Sequence, residues 1–200
     1  MHFSLVVVGA HDGSKMSDTI ERSAVAAPVL LIEPVPFLFE RLRQRYAGRP
    51  KIVLRNCAIA LHDGEADFAA PKPTAVAVHS WGDQLGSLRL DHATSHDPRF
   101  ADHFAKIRVP TLRFVTVLAA EGISSIDCPL TDTEGLDAQL IASFPFSKIM
   151  PRQIVFEFRH SDGLSTVGPR LAYLLILLDA LGYRTRVLDV ENMQAVRASD

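Results

Sequence analysis

The stretch Val6–Gly13, "VVVGAHDG", sets two glycines three residues apart at the end of an apolar run. Gly9 would let the chain turn sharply without a Cβ, with Ala10 beside it, and Gly13 would let the backbone come close to a ligand. A helix N-terminus just beyond offers unpaired N–H groups to an anionic group. The spacing is G-x-x-x-G, not the G-x-G-x-x-G of a pyrophosphate loop, so the pair alone also describes a plain turn. Glu33 adds the second half of a site. It closes another apolar run, "PVLLIE", about 20 residues past Gly13, the separation at which an acid reaches ribose hydroxyls in βαβ nucleotide sites. Together they predict a nucleoside-type cofactor.

The segment "CPLTDTEG" supplies a third group of chemical residues. Asp132 and Glu134 follow an apolar strand, at the sheet edge where ligands of open α/β proteins bind. Asp132 is the candidate for cofactor or reacting centre, while Glu134 serves equally well as an acid at a helix N-terminus. His160 follows "IVFEF" on the same edge and is a candidate general base near neutral pH, with His11 a lesser one. The eight histidines are dispersed along the chain and show no metal-ligand pattern, so no metal is expected.

These residues need a sheet to hold them. "FSLVVVG", "PVLLIE" and "KIVLRNCAIA" read as buried parallel strands. "SDTIERSAVAA", with Ser17 or Asp18 as N-cap, and "PFLFERLRQRYAG" read as the helices between them. Strand–helix–strand alternation with short turns means a mostly parallel sheet with helices on both faces. Residues 71–104 lack a sustained period, and a stretch that long inside a compact domain suits a substrate lid or binding loop. Beyond it come a strand at Val109–Phe114, a short helix to Glu121, and a strand from Ser125 to Thr131. "LDAQLIASF" is a helix, "RQIVFEFRH" a strand, and "STVGPRLAYLLILLDALGY" a long helix. Two short strands around a turn at Glu191–Asn192 end the pattern. No repeat or second boundary appears, so residues 1–200 form one domain.

Composition excludes several classes. With 48% hydrophobic and 22% charged residues the chain is globular, and a net charge of -2 gives no electrostatic grip on nucleic acid or an anionic membrane. Cys57 and Cys128 sit in apolar stretches and give no disulfide framework. No signal-peptide pattern is seen, and "LAYLLILLDALGY" is too short to span a bilayer. A cytoplasmic protein acting on a small molecule is the expectation, with its oligomeric state open.

The order "VVVGAHDG", "LLIEPVPFLFERL", "NCAIALHDGEADF", "WGDQLGSL", "VPTLRFVTVL", "LTDTEG", "IVFEFRH" resembles the FkbM family of S-adenosylmethionine-dependent methyltransferases, from about Leu5 to Tyr183. The resemblance implies a Rossmann-like seven-stranded sheet, S-adenosylmethionine as cofactor, and O-methylation of a hydroxyl on a small metabolite or sugar. It implies that Gly9, Ala10 and Gly13 lie against the methionine half, Glu33 takes the ribose, and Cys57 and Ala58 border the adenine. Asp132 would lie near the methionyl amino group or the reacting centre. Trp81, Asp83, Gln84 and Ser87 are the candidate substrate wall, with Asp132 or His160 as the catalytic base. Three positions depart from the family pattern: His11 replaces an asparagine, and Leu130 and Thr131 replace a lysine and an apolar residue. They keep open a methyltransferase-like protein that binds cofactor or partner without catalysis. A nicotinamide-dependent oxidoreductase would require the G-x-G-x-x-G that is absent.

Overall fold

A computed structural model describes residues 1–198. Strand β1 (His2–Val8) is buried on both faces from Phe3 onward. It lies between β2 (Val29–Ile32) and β7 (Ser125–Thr131), with β3 (Ile52–Arg55) beyond β2 and β8 (Gln153–Glu157) beyond β7, all parallel. Strand β10 (Asn192–Arg197) runs antiparallel between β8 and β9 (Tyr183–Val187). The seven-stranded order β3-β2-β1-β7-β8-β10-β9 reverses direction at β1 and β7. The crevice at such a reversal is where open α/β sheets bind ligands.

The alternation along β1 assigns its two faces. Leu5 and Val7 pack with Ile20 of α1 (Ser17–Ala26), and with Leu42 of α2 (Pro36–Arg45) and Tyr46. Val6 and Val8 pack on the other face with Phe114 and Val117 of α4 (Phe114–Ala120). Leu140 of α5 (Asp137–Ala142) and Leu174 of α6 (Pro169–Ala180) share that cluster. Each fully buried Leu or Val contributes about 1.5–3 kcal/mol, so these faces fix the strand register that aims the loops.

A second sheet stands beside the first. Strands β5 (Gly64–Pro71) and β6 (Phe104–Leu112) form a hairpin whose ladder runs from Gly64↔Thr111 to Pro71↔Phe104. The short β4 (Ala58–Ile59) joins it through β6. Residues 72–103 are therefore the connection that joins the hairpin's two strands. They hold three 3₁₀ turns and the short helix α3 (His92–His96), gathered on a small core of Ala75, Leu85, Ala93 and Phe100. The stretch is more ordered than its missing period suggests, because single turns around one aromatic carry no repeat.

Several expected boundaries shift. "KIVLRNCAIA" is two strands in two sheets: Asn56 leaves the ladder and its Nδ2 donates to the carbonyls of Glu33 (2.8 Å) and Pro34 (3.1 Å). "GEADFAAP", which has no sustained period in the sequence, is strand β5. Phe114 starts a helix instead of ending a strand. The N-cap of α1 is Met16, so Ser17 and Asp18 are already helical. Helix α6 begins at Pro169, since proline fits the first turn and the 165–168 segment turns away. The hairpin before β10 turns at 188–191, where Asp189 accepts the N–H groups of Glu191 and Asn192.

Candidate active site

The loops after β1, β2 and β7 enclose a cleft of about 890 Å³. Its first wall is the glycine loop. Gly9 (φ +84°) passes so close to β7 that a Cβ there would stand 1.9 Å from the Asp132 carbonyl oxygen. His11 follows in the left-handed region (φ 52°), which asparagine and histidine tolerate better than most residues. Its N–H donates to Glu33 Oε2 at 2.8 Å, and the Val35 N–H donates to Oε1 at 2.8 Å. Glu33 thus joins two loops while keeping a lone pair on each oxygen for the cleft. Burial pushes its carboxyl up to about 7, against the pull of those two N–H groups.

The lining mixes two kinds of residue. Val35, Leu38, Ile59, Phe68, Cys57 and Ala58 supply apolar surface, and Lys15, Asp83, Gln84 and Asp132 supply polar groups. Burial raises the Cys57 thiol to about 11, so it is a neutral wall and not a nucleophile. Lys15 Nζ donates to Gln84 Oε1, and His11 Nε2 lies 3.6 Å from Asp83 Oδ2. The 72–103 segment is therefore tied to the glycine loop at two points.

A second cleft, about 1040 Å³, opens across Lys15, Gln84 and Asp132. Trp81, Leu85 and His96 line one side, and Glu134, Glu157, Arg159, His160 and Glu191 line the other. Asp132 is open to water through the clefts but ringed by protein. Partial loss of water, with the negative charges of Glu134 and Asp137, raises its carboxyl above the ordinary range while Lys15 opposes. Burial also raises Glu134 to about 8 and Glu157 to about 10, with neighbouring carboxylates adding to the effect. Burial holds His92, His96 and His160 down at about 4, so all three rings are neutral at pH 7.

Of the residues singled out from sequence, Gly9, Ala10, Glu33, Cys57, Ala58 and Asp132 line the first cleft. Gly13 does not: a Cβ there would meet Tyr46 at 2.7 Å and Leu42 at 2.8 Å, so this glycine seats α2 against the loop. Asp83 and Gln84, expected at the substrate, line the first cleft, and Gln84 borders both. Trp81 lines the second cleft only. Ser87 lines neither; it is buried, and its hydroxyl donates to the Glu134 carbonyl (3.0 Å) and accepts the Arg89 N–H (3.0 Å). His160 lies in the turn beyond β8, facing the second cleft, with Nδ1 accepting the Ser165 N–H at 2.9 Å.

Three of the histidines scattered along the chain converge: His92, His96 and His160, with Glu134, bring their ligand atoms within 4.8 Å of one another. The His92-x₃-His96 spacing puts both rings on one face of a helical turn, which was the signal available in the sequence. Glu134 and His160 joined them only through the fold.

The sheet order, the crevice at β1 and β7 and the loops around it define a Rossmann-like α/β fold. Residues 8–185 match the Methyltransferase FkbM domain. The chain belongs to the FkbM family of methyltransferases, and S-adenosylmethionine is its cofactor. A search of curated proteins found no match. Among solved structures, it is similar to precorrin-6y C5,15-methyltransferase from Geobacter metallireducens GS-15. That pair has a TM-score of 0.51 and 10% identity over 98% of this chain and 81% of the other, a likeness of fold. It is also similar to Aeropyrum pernix fibrillarin in complex with natively bound S-adenosyl-L-methionine, with a TM-score of 0.47 and 8% identity over 97% and 66% of the two chains.

Proposed function

We propose that this protein methylates a hydroxyl oxygen of a small metabolite or sugar, with the cofactor in the first cleft and the acceptor in the second. The observation that carries the reading is the shared border of the two clefts at Lys15, Gln84 and Asp132. The mixed lining of the first cleft suits such a cofactor, with apolar surface from Ile59 and Phe68 for an adenosine and polar groups including Asp132 for a charged methionine moiety. Glu33, with a free lone pair on each oxygen, would take the ribose hydroxyls. When bound, S-adenosylmethionine would supply an electrophilic methyl to the acceptor oxygen, its sulfur would keep the electron pair of the broken bond, and the hydroxyl proton would need a receiver in this chain.

The chain's own work is to align the two molecules and receive that proton, and alignment supplies much of the acceleration. Asp132 fits the second task. It borders both clefts, has no Lys or Arg within 4.0 Å among the described residues, and sits where its proton affinity is raised. His160 fits less well as the base. The Ser165 N–H occupies its Nδ1 lone pair, so the neutral ring carries its proton on Nε2, 3.5 Å from Glu157 Oε1. It is better suited to donate a hydrogen bond to the acceptor. Titration calorimetry with S-adenosylmethionine, followed by an assay of S-adenosylhomocysteine release over a panel of hydroxylated compounds, tests the reading. Tight cofactor binding with turnover on a hydroxyl compound supports it. Binding without turnover over a broad panel would move the protein to the class of non-catalytic binders.

A further inference from the structure

The second cleft contains an arrangement that methyl transfer does not require. Nε2 of His92 lies 2.8 Å from Glu134 Oε2 and 3.3 Å from Nε2 of His96. A single hydrogen on His92 Nε2 can serve the 2.8 Å contact to Glu134, which leaves the 3.3 Å contact to His96 weak at best. The one proton on His92 Nε2 faces two acceptors, or two N–H groups face each other. The other ring nitrogen of His92, Nδ1, is buried without a partner. Two nitrogens bound to one tetrahedral ion at about 2.0–2.1 Å would stand about 3.3–3.4 Å apart, the separation seen here. A cation in place of the shared proton would give all three lone pairs one partner.

The surroundings gather oxygen donors at a turn of unusual backbone. Asp132, Glu134 and Glu157 converge on this cleft, and among the described residues no Lys or Arg comes within 4.0 Å of their carboxylates. Of the cations nearby, Arg159 is paired with Glu191 at 3.1 Å, Lys15 is bonded to Gln84, and Arg89 approaches the cluster with its Nη1 buried and without a partner. Glu157 Oε2 is buried without a hydrogen-bond partner. Glu134 is held at φ +56°, a left-handed conformation unfavourable for a glutamate, with its side chain against His92.

We propose that His92, His96 and Glu134 form a binding site for a divalent transition-metal ion whose open coordination positions face the second cleft. Two histidines and a carboxylate on one side of an ion, with the other side open, is a ligand set of catalytic and not structural metal sites. His160, whose Nδ1 is engaged by Ser165, flanks the site with its ring 5.0 Å from His92 and 5.1 Å from His96. The ligand class for the open positions is an oxygen donor, a hydroxyl or a vicinal diol. An oxygen bound to such an ion gives up its proton more readily, and Asp132 is in the same cleft to receive it. That role at the acceptor rests on the methyl-transfer reading above; the binding of the ion does not.

The test uses the full chain, freed of metal with a chelator and titrated with Co(II), followed by its ligand-field absorption and by calorimetry. One Co(II) per chain with absorption bands of low coordination number is expected. His96→Ala and Glu134→Gln should each weaken binding by more than about 100-fold, beyond what loss of an outer support costs. His62→Ala, at an exposed histidine outside the cluster, should leave it unchanged. Fully buried His92 is left intact so that folding is retained, which circular dichroism of each variant verifies. No stoichiometric Co(II) binding, or binding indifferent to both substitutions, overturns the proposal. S-adenosylmethionine titrated into the metal-free protein separates the two readings. Cofactor binding without Co(II) binding removes the metal site alone, and Co(II) binding without cofactor binding removes the methyl-transfer reading alone.

Discussion

The backbone N–H of His11 donates to Oε2 of Glu33 across 2.8 Å, tying the loop after β1 to the end of β2. One carboxylate therefore shapes the glycine loop and presents lone pairs to the cleft. Glu33→Ala should weaken S-adenosylmethionine by the roughly 1–3 kcal/mol of a lost charge-assisted hydrogen bond, and also loosen the loop. Calorimetry gives the first effect and hydrogen exchange at the amides of residues 9–13 gives the second. Unchanged affinity in a folded variant would remove Glu33 from the ribose.

The same carboxylate sets a pH dependence. Burial places Glu33 near 7 in the folded chain against 4.5 ordinarily. Between those values the folded state holds a proton that the unfolded state has released. Its contribution to stability is present below the unfolded value and is lost as pH rises, with a slope of up to about 1.4 kcal/mol per pH unit. Ribose binding by the ionised form runs the other way, so affinity should climb with pH and level off above about 7. Glu33→Gln should flatten both profiles, measured by urea unfolding and calorimetry across that range. A cofactor affinity that falls with rising pH would contradict the assignment.

Gly9 and Gly48 have similar backbones, φ +84° and +75°, but different neighbours. A methyl group at Gly9 runs into the Asp132 carbonyl, whereas nothing lies within 4 Å of the one at Gly48. Gly48→Ala should cost only the left-handed penalty, about 1–2 kcal/mol. Gly9→Ala adds a backbone clash between two central strands, so a loss of more than about 3 kcal/mol is expected. Denaturant unfolding of the pair checks it, and equal losses would mean that β1 and β7 can part without cost.

Much of this was legible along the chain. The continuous apolar runs at residues 5–8 and 29–32 can be buried only inside a parallel sheet, and the loops after them must then share one edge. Gly9, Glu33 and Asp132 followed from that edge alone. What the sequence concealed depends on contacts between distant segments. Gly13 resembles a ligand-facing glycine until Tyr46 is seen against it. Ser87 resembles a substrate contact until its hydroxyl is found holding the Glu134 carbonyl. The histidine cluster joins α3, the turn after β7 and the turn after β8 across 68 positions of chain, and no local pattern encodes that meeting.

Trp81 separates the two clefts experimentally. Its ring stacks on His79 at 4.7 Å and 2° between planes, and it contributes to the second cleft but not the first. Gln84, three residues on, borders both and holds Lys15. If the 72–103 segment walls the acceptor, Trp81→Ala should lower kcat/KM by about 10-fold or more through the lost aromatic contact, while leaving S-adenosylmethionine affinity as it was. Gln84→Ala should move both quantities, because freeing Lys15 changes the polar lining of the cofactor cleft as well. The contrast between the two variants carries the argument, since general loosening of the segment would weaken cofactor and turnover together in each. A Trp81→Ala protein with weakened cofactor binding and unchanged kcat/KM would place the acceptor elsewhere.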